Sequence, residues 1–333
     1  MKILYIHRSK NLGDVSIEKV FDIMTSGLDK SIETEKFYVP CHRADPKSII
    51  TNLKAVKKIT KGTDADVIHI VGDLHYLTLA CPRKKTVLTI HDLVGTTRMK
   101  GLKKALYLLL WVVLPTLSCA KVVAITEFTK NDVIHYAPWM KNKIDVIPSA
   151  VNNTYQFSSK SFNAQCPRIL MVGTRVNKNL DRVIEALAGI KCTFDIVGPL
   201  SDEQIKNLKR NNIDYINGVR IPESELEEKY KLCDLVLFPS IYEGQGVIIL
   251  EAQKIGRPVV TSNIEPMISV SGGATCLVDP YNIQDIHRGI LKVIESEEYR
   301  DRLVKNGLEN LKEYEAPVLA QKYTSIYKKI CNK

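Results

Sequence analysis

The chain has 333 residues, 45% hydrophobic and 25% charged, the usage of an ordinary soluble protein and enough for roughly two domains of about 150 residues with full cores. Its eight cysteines include no CxxC pair, which argues against a disulfide framework or zinc site and for a reducing cytosol. Lys and Arg total 47 against 37 Asp and Glu. The excess is uneven: residues 1–155 hold 23 basic and 14 acidic side chains, residues 156–333 hold 24 and 23, so the first half calls for an anionic partner, which nucleic acid, a membrane surface or a phosphorylated substrate would satisfy.

Met1 leads directly into the apolar run Ile3–Ile6, without the charged and long apolar regions of a signal peptide. Further short runs rich in Ile, Val and Leu follow at Val67–Val71, Thr86–Ile90, Val122–Ile125 and Asp145–Ile147. Such runs predict strands buried on both faces, hence a parallel sheet covered by helices. The apolar stretch 105–120 contains Pro115, Thr116 and Ser118 and is shorter than a membrane span. Residues 149–167 are rich in Asn, Ser, Thr and Gln and predict a linker near 153–166. The strand pattern then restarts at Arg168–Val172, Phe194–Val197, Asp214–Ile216, Leu235–Phe238, Pro258–Thr261 and Thr275–Val278. Helices are expected at 179–188, 201–211, 224–232, 247–255 and 283–297, and a last one at 317–330.

Two successive α/β sheets are therefore expected. Neither half has a GxGxxG after its first strand, and no GxxxxGK[ST] occurs, which removes the main support for a dinucleotide dehydrogenase or a P-loop NTPase. In open parallel sheets ligands bind outside the carboxyl ends of the strands, so the loops there carry the candidate chemistry. The first runs from Gly173 through Arg175 and Lys178 to Asn179. Glycine, two cations and a helix start suit a diphosphate, although two solvated cations at a helix cap would look the same. The second, 238–246, holds Ser240, Glu243, Gly244, Gln245 and Gly246, and the helix after it begins at Val247 and carries Glu251. Two carboxylates there suit the hydroxyls of a sugar and a ribose; a cap acid and a surface acid are the plainer alternative. A third loop, 262–266 with 271–273 beyond it, is by itself only a turn.

The run Glu243-Gly-Gln-Gly-Val-Ile-Ile-Leu-Glu251 resembles the E-x7-E element of retaining GT-B glycosyltransferases of family 4 (glycosyl transferases group 1). The similarity extends through MKILYI, LTIHDL, VVAITEFTKND, DVIPSAVN, ILMVGTRVNKNL, CDLVLFPSIYEGQG, GRPVVTSNIEPM and ATCLVDP, in that order. The resemblance implies two Rossmann-like doubly wound parallel-sheet domains facing a cleft: an acceptor-binding domain at 1–155, a nucleotide-sugar domain at 156–315, and a terminal helix at 316–333 crossing back onto the first. It implies donor-diphosphate contacts from Arg175 and Lys178, ribose contact from Glu251, and sugar contact from Glu243 with the amides of Gly244 to Gly246. Gly13, Gly173, Ser240, Gln245 and Val247 complete the donor residues, and His91 lies near the reacting centre. No metal or other cofactor is implied; the nucleoside-diphosphate sugar is a co-substrate, and an acceptor hydroxyl attacks from the face the diphosphate leaves. Gln245 and Ile248 depart from the residues usual in the family, so donor identity is not carried over. Asp14 stands where a glycine is frequent and is expected to turn away or pair with Arg8 or Lys10.

Arg98, Lys100, Lys103 and Lys104 precede an aliphatic run containing Tyr107 and Trp111. This pattern fits either an interfacial helix on anionic lipid or a buried helix with a basic edge. Lys54, Lys57, Lys58 and Lys61 add a second basic cluster. The expected activity is hexosyl transfer to a glycan or polyprenyl-diphosphate-linked acceptor in bacterial cell-surface polysaccharide assembly. The protein is expected in the cytoplasm, in peripheral contact with the inner face of the membrane. A GT-B nucleotide-sugar epimerase and a basic nucleic-acid-binding protein are the alternatives, the latter lacking any recognisable motif.

Overall fold

The computed structural model describes residues 1–10, 16–152 and 154–332, the side chains of Ser16 and Arg98 excepted. Among the described residues twelve strands form two sheets of six, all pairings parallel. The first sheet contains β1 (Lys2–His7), β2 (Glu33–Tyr38), β3 (Val67–Ile70), β4 (Thr86–Ile90), β5 (Lys121–Ala124) and β6 (Ile144–Val146). The second contains β7 (Arg168–Val172), β8 (Thr193–Val197), β9 (Asp214–Gly218), β10 (Leu235–Phe238), β11 (Val259–Ser262) and β12 (Cys276–Val278). Their orders are β2-β1-β3-β4-β5-β6 and β12-β11-β10-β7-β8-β9. Both are doubly wound orders, reversing between β1 and β3 in one sheet and between β7 and β10 in the other.

The central strands are those with uninterrupted apolar runs, because helices cover both of their faces. Val67, Ile68 and Ile70 of β3 and all four residues of β10 are at most 1% exposed. β2 is the strand that hydrophobic runs do not predict. Its sequence, Glu33-Thr-Glu-Lys-Phe-Tyr38, is largely exposed because the strand lies at the sheet edge and pairs only with β1.

The chain divides into two compact units: Met1–Ala150 together with the chain from Tyr314 onward, and Val151–Glu313. The breaks fall a few residues before 155 and 315. Residues 153–166, expected as a linker, have no regular structure where described, yet they pack onto the second unit. Tyr155 is fully buried against Tyr230, with ring centroids 5.8 Å apart. Lys160 pairs with Asp234, whose carboxylate also accepts from the backbone N–H groups of Asn163 (3.1 Å) and Arg168 (2.8 Å). A polar composition thus hides two aromatic anchors, Tyr155 and Phe162, and the partners of one buried acid, Asp234.

The last helix, Ala316–Cys331, packs in the first unit, with Leu319, Tyr323, Ile326 and Tyr327 clustered with Ile3, Tyr5 and Val67. Polar contacts fix its register. Tyr327 Oη lies 2.7 Å from His69 Nδ1 and 3.2 Å from Tyr5 Oη, while Tyr323 Oη lies 3.2 Å from Thr89 Oγ1.

Candidate functional site

The loops after β7 and β10 meet because those strands are neighbours at the point where the second sheet reverses. Gly173 ends β7 with φ +93°, and a Cβ there would come within 3.0 Å of Lys178 Cε. Glycine therefore lets the lysine chain lie across the strand end. A 3₁₀ turn, Val176–Lys178, separates the strand from the helix Leu180–Ala186; Arg175 precedes that turn and Lys178 ends it, both in the loop directly before the helix, as the sequence places them. Lys178 Nζ lies 2.8 Å from Glu243 Oε1 and 4.6 Å from the centre of the Phe238 ring. Arg175 is exposed.

Asn177 and Asn179, which sequence analysis did not single out, hold the two loops together. The Asn177 side chain donates to Tyr242 O (3.1 Å) and Glu243 Oε1 (3.2 Å), while the Asn177 backbone carbonyl accepts from Ile241 N (2.9 Å). Asn179 adopts φ 66°, a left-handed conformation that Asn tolerates, and donates to Pro239 O (3.1 Å) and Pro280 O (2.6 Å). The available signal was the alternation of amides with Lys178 directly after a strand.

Ser240 is fully buried, and among the described residues nothing hydrogen-bonds its Oγ. A buried orphan hydroxyl at a strand end calls for a ligand or water partner. Gln245 and Gly246 are buried, and Glu243, Gly244 and Val247 half-buried. Gly246 has φ +83° and caps the helix Val247–Ile255; a Cβ there would approach Phe238 Cε1 to 3.1 Å. Glu251 lies within that helix, and its Oε2 accepts from the Tyr230 hydroxyl at 2.8 Å. The second unit thus assembles a cation, a carboxylate and a glycine-capped helix start at one sheet reversal, with Glu251 in the second turn of that helix, an arrangement suited to an anion joined to a polyol.

In the first unit His91 follows β4 and is 8% exposed. Its Nε2 donates to Val71 O (2.9 Å), which leaves Nδ1 as the accepting nitrogen, and burial lowers its pKa. Gly13 and Asp14 lie outside the described residues. The Arg8 guanidinium donates to Glu18 (2.9 and 2.8 Å), and Lys10 lies over the Tyr38 ring. No group of three His, Cys, Asp or Glu side chains among the described residues is placed to hold a metal ion.

The segment 101–117 is partly buried and partly exposed. It forms a helix Gly101–Leu108, a π turn Leu109–Val113 and a short helix Leu114–Leu117. Val112, Pro115 and Thr116 are buried, whereas Leu102, Leu106 and Leu109 are 76%, 50% and 43% exposed. Lys100 and Lys103 are exposed beside them; Lys104 leans over the Tyr136 ring. Trp111 turns inward, stacked on Tyr107 and donating from Nε1 to Asp73 O (2.6 Å). The exposed apolar surface is therefore built of leucines, and Trp111 anchors the segment. Lys54, Lys57, Lys58 and Lys61 are all exposed on the helix Pro46–Gly62. Among the described residues no helix is long and apolar enough to cross a membrane.

Two doubly wound parallel domains, with cationic and acidic loops at the second sheet's reversal, define a GT-B-type glycosyltransferase. The chain belongs to glycosyl transferases group 1, family 4: the Glycosyltransferase Family 4 model matches residues 21–155 and the Glycosyl transferases group 1 model residues 153–310. It is 26% identical over 280 residues to an uncharacterized glycosyltransferase of Methanocaldococcus jannaschii, covering 80% of this chain and 76% of that protein. Over 173 residues it is 25% identical to the N,N'-diacetylbacillosaminyl-diphospho-undecaprenol alpha-1,3-N-acetylgalactosaminyltransferase of Campylobacter jejuni, a match spanning 49% of this chain and 45% of that enzyme. Among solved structures, Anabaena HepE in complex with UDP and glucose superposes with a TM-score of 0.75 at 15% identity, covering 99% of this chain and 100% of that one. At that identity the likeness shows the fold.

Proposed function

We propose that this glycosyltransferase moves a hexosyl unit, with retention of configuration, from a nucleoside-diphosphate sugar to a glycan or lipid-diphosphate-linked acceptor during cell-surface polysaccharide assembly. The observation that carries the donor half is the Lys178–Glu243 pair at the reversal of the second sheet, 2.8 Å apart. Lys178, with Arg175 in the same loop, meets the diphosphate, whose charge grows as the bond to the sugar breaks. Glu243 and the Gly244–Gly246 amides receive the sugar hydroxyls, and Glu251 the ribose. The acceptor oxygen bonds to the anomeric carbon on the face the diphosphate leaves; the bonding pair goes to the diphosphate, whose oxygen takes the acceptor's proton. The cations supply the charge a metal would otherwise bring, so activity survives EDTA.

The acceptor is assigned to the basic first unit, with His91 as its residue nearest the chemistry. Support for a lipid-linked acceptor comes from the C. jejuni relative, named for such a substrate, and from the exposed leucines among lysines at 100–109. That combination suits peripheral contact with an anionic membrane, on its cytoplasmic face. Thermal-shift screening against UDP-, GDP-, ADP- and dTDP-sugars tests the donor half, because a ligand that binds only the folded state raises its stability. At least one is expected to raise Tm; no shift with any of them would overturn the reading. Incubating that donor without acceptor then separates transfer from epimerisation, which would release an altered nucleotide sugar.

A further inference from the structure

Tyr230 belongs to the helix Glu223–Leu232 and is fully buried, yet its hydroxyl is not at the surface of the core but on Glu251 Oε2, 2.8 Å away. A phenylalanine would fill the same volume among Leu170, Val236, Ile249 and Ala252, the apolar side chains of its cluster. The hydroxyl is therefore not required for packing. Burial and the neighbouring Glu251 carboxylate both raise the pKa of Tyr230 well above its ordinary value, so the phenol keeps its proton and acts as a donor.

The ring is held on two sides. Tyr155 packs against it, and the Tyr155 hydroxyl is itself fixed on Glu223 Oε1 at 2.7 Å. Arg257, buried, donates from Nε to Tyr230 O (3.0 Å) and from Nη2 to Lys231 O (2.7 Å), locking the end of the helix that carries the tyrosine. Glu251, by contrast, is only half-buried. A hydrogen bond from an immobile donor to one carboxylate oxygen sets the plane of the whole group, and a carboxylate has about four lone-pair sites, so it accepts further hydrogen bonds in that plane.

We infer that Tyr230 is a positioning residue of the donor site, its hydroxyl orienting the Glu251 carboxylate for the paired hydroxyls of the nucleotide's ribose. This rests on the assignment of Glu251 to the ribose. Its consequence is discrimination: a fixed carboxylate distinguishes a ribonucleotide from a 2′-deoxyribonucleotide more sharply than a freely rotating one.

The test compares binding of UDP, GDP and ADP with their 2′-deoxy counterparts by titration calorimetry on the whole protein. Wild type is expected to prefer the ribose form of its best nucleotide by about tenfold or more, as for a hydrogen bond to a charged group. In Tyr230→Phe, which keeps the ring, this preference is expected to fall several-fold while the diphosphate contribution, read from the deoxy form, stays as in wild type. Glu251→Asp, whose shorter side chain draws the carboxylate out of reach of Tyr230, is the second variant and is expected to lose the preference too. A preference unchanged in Tyr230→Phe would overturn the role of Tyr230; one unchanged in Glu251→Asp, or absent from wild type, would overturn the assignment of Glu251 to the ribose on which that role rests. Binding of dTDP but none of the three ribonucleotides would likewise overturn the ribose contact, and failure to bind any of the four would instead overturn the donor site on which it rests.

Discussion

Lys178 and Glu243 are 65 residues apart in sequence, and their charged atoms lie 2.8 Å apart. The two side chains are only 17% and 14% exposed, and the ammonium also lies over Phe238. Screening by water is correspondingly reduced, so each charge matters to the other. In the proposed function an incoming diphosphate would compete with Glu243 for the lysine, while Asn177, which also donates to Glu243, would hold the carboxylate.

Removing either member should therefore damage catalysis more than folding. Lys178→Ala and Glu243→Ala are each expected to lower kcat by about 10²–10³, as for loss of a charge-stabilising group, with a cooperative unfolding transition retained. Initial rates with the donor found by thermal shift provide the measurement. Near-wild-type turnover in both variants would remove the pair from the active site.

Asp195 is a structural counterpart. It is 0% exposed on β8 and accepts from the Arg168 guanidinium (2.5 and 3.0 Å) and from Lys229 Nζ (2.8 Å), the latter 8% exposed. Asp195→Ala leaves a buried ammonium without its counter-ion, and a loss of about 3–5 kcal/mol is expected. Urea titration measures it; a change below about 1 kcal/mol would contradict the buried-triad account.

Acid should destabilise the first unit in a defined window. Burial holds His69, His75 and His91 below the ordinary histidine pKa and pushes His7 down to about 4. For each, the unfolded chain takes up a proton near pH 6.5 while the native state does not, so the unfolded state gains relative stability as pH falls below 6.5. For His7 the effect saturates near pH 4. Each neutral histidine contributes at most about 1.4 kcal/mol per pH unit. Denaturant titrations between pH 7 and 4 should show falling stability, with a shallower slope in His7→Gln; a flat profile would contradict neutral burial.

Exposed leucines give the membrane proposal a clean handle. Leu102 and Leu106 lie on one helical face and contribute little to the core, so Leu102→Asp/Leu106→Asp should leave Tm within a few degrees of wild type. Sedimentation with vesicles containing anionic lipid is expected to fall several-fold. Wild-type protein that binds neutral and anionic vesicles equally, or neither, would count against the contact.

Most strands and the helices of the second unit were legible in the sequence because continuous apolar runs and cap residues are local signals. The helix Val247–Ile255, with a glycine cap at each end, falls where it was expected. β2 was not legible, since an edge strand does not need the apolar run that identifies a buried one. Nor was the role of 153–166: Tyr155 counts as one aromatic in a polar stretch until the pocket against Tyr230 is seen.

For the candidate site, the sequence by itself determined which loops place glycine and charged residues directly after buried strands: Gly173 to Lys178, and Ser240 to Gly246 with Glu251 beyond. It did so because a glycine turn and charged residues directly after a buried strand are readable from order alone. Only the tertiary structure decided that Lys178 meets Glu243, that Asn177 and Asn179 lace the loops, and that Tyr230 holds Glu251. The contacts of Lys178, Asn177 and Asn179 depend on β7 lying beside β10, a parallel pairing across more than sixty residues that no local pattern encodes, and that of Tyr230 on the packing of two helices flanking β10. The leucines at 102, 106 and 109 teach the same lesson at the surface: their apolarity is written in the sequence, but whether a helix turns that face to the core or to solvent is settled by what packs around it.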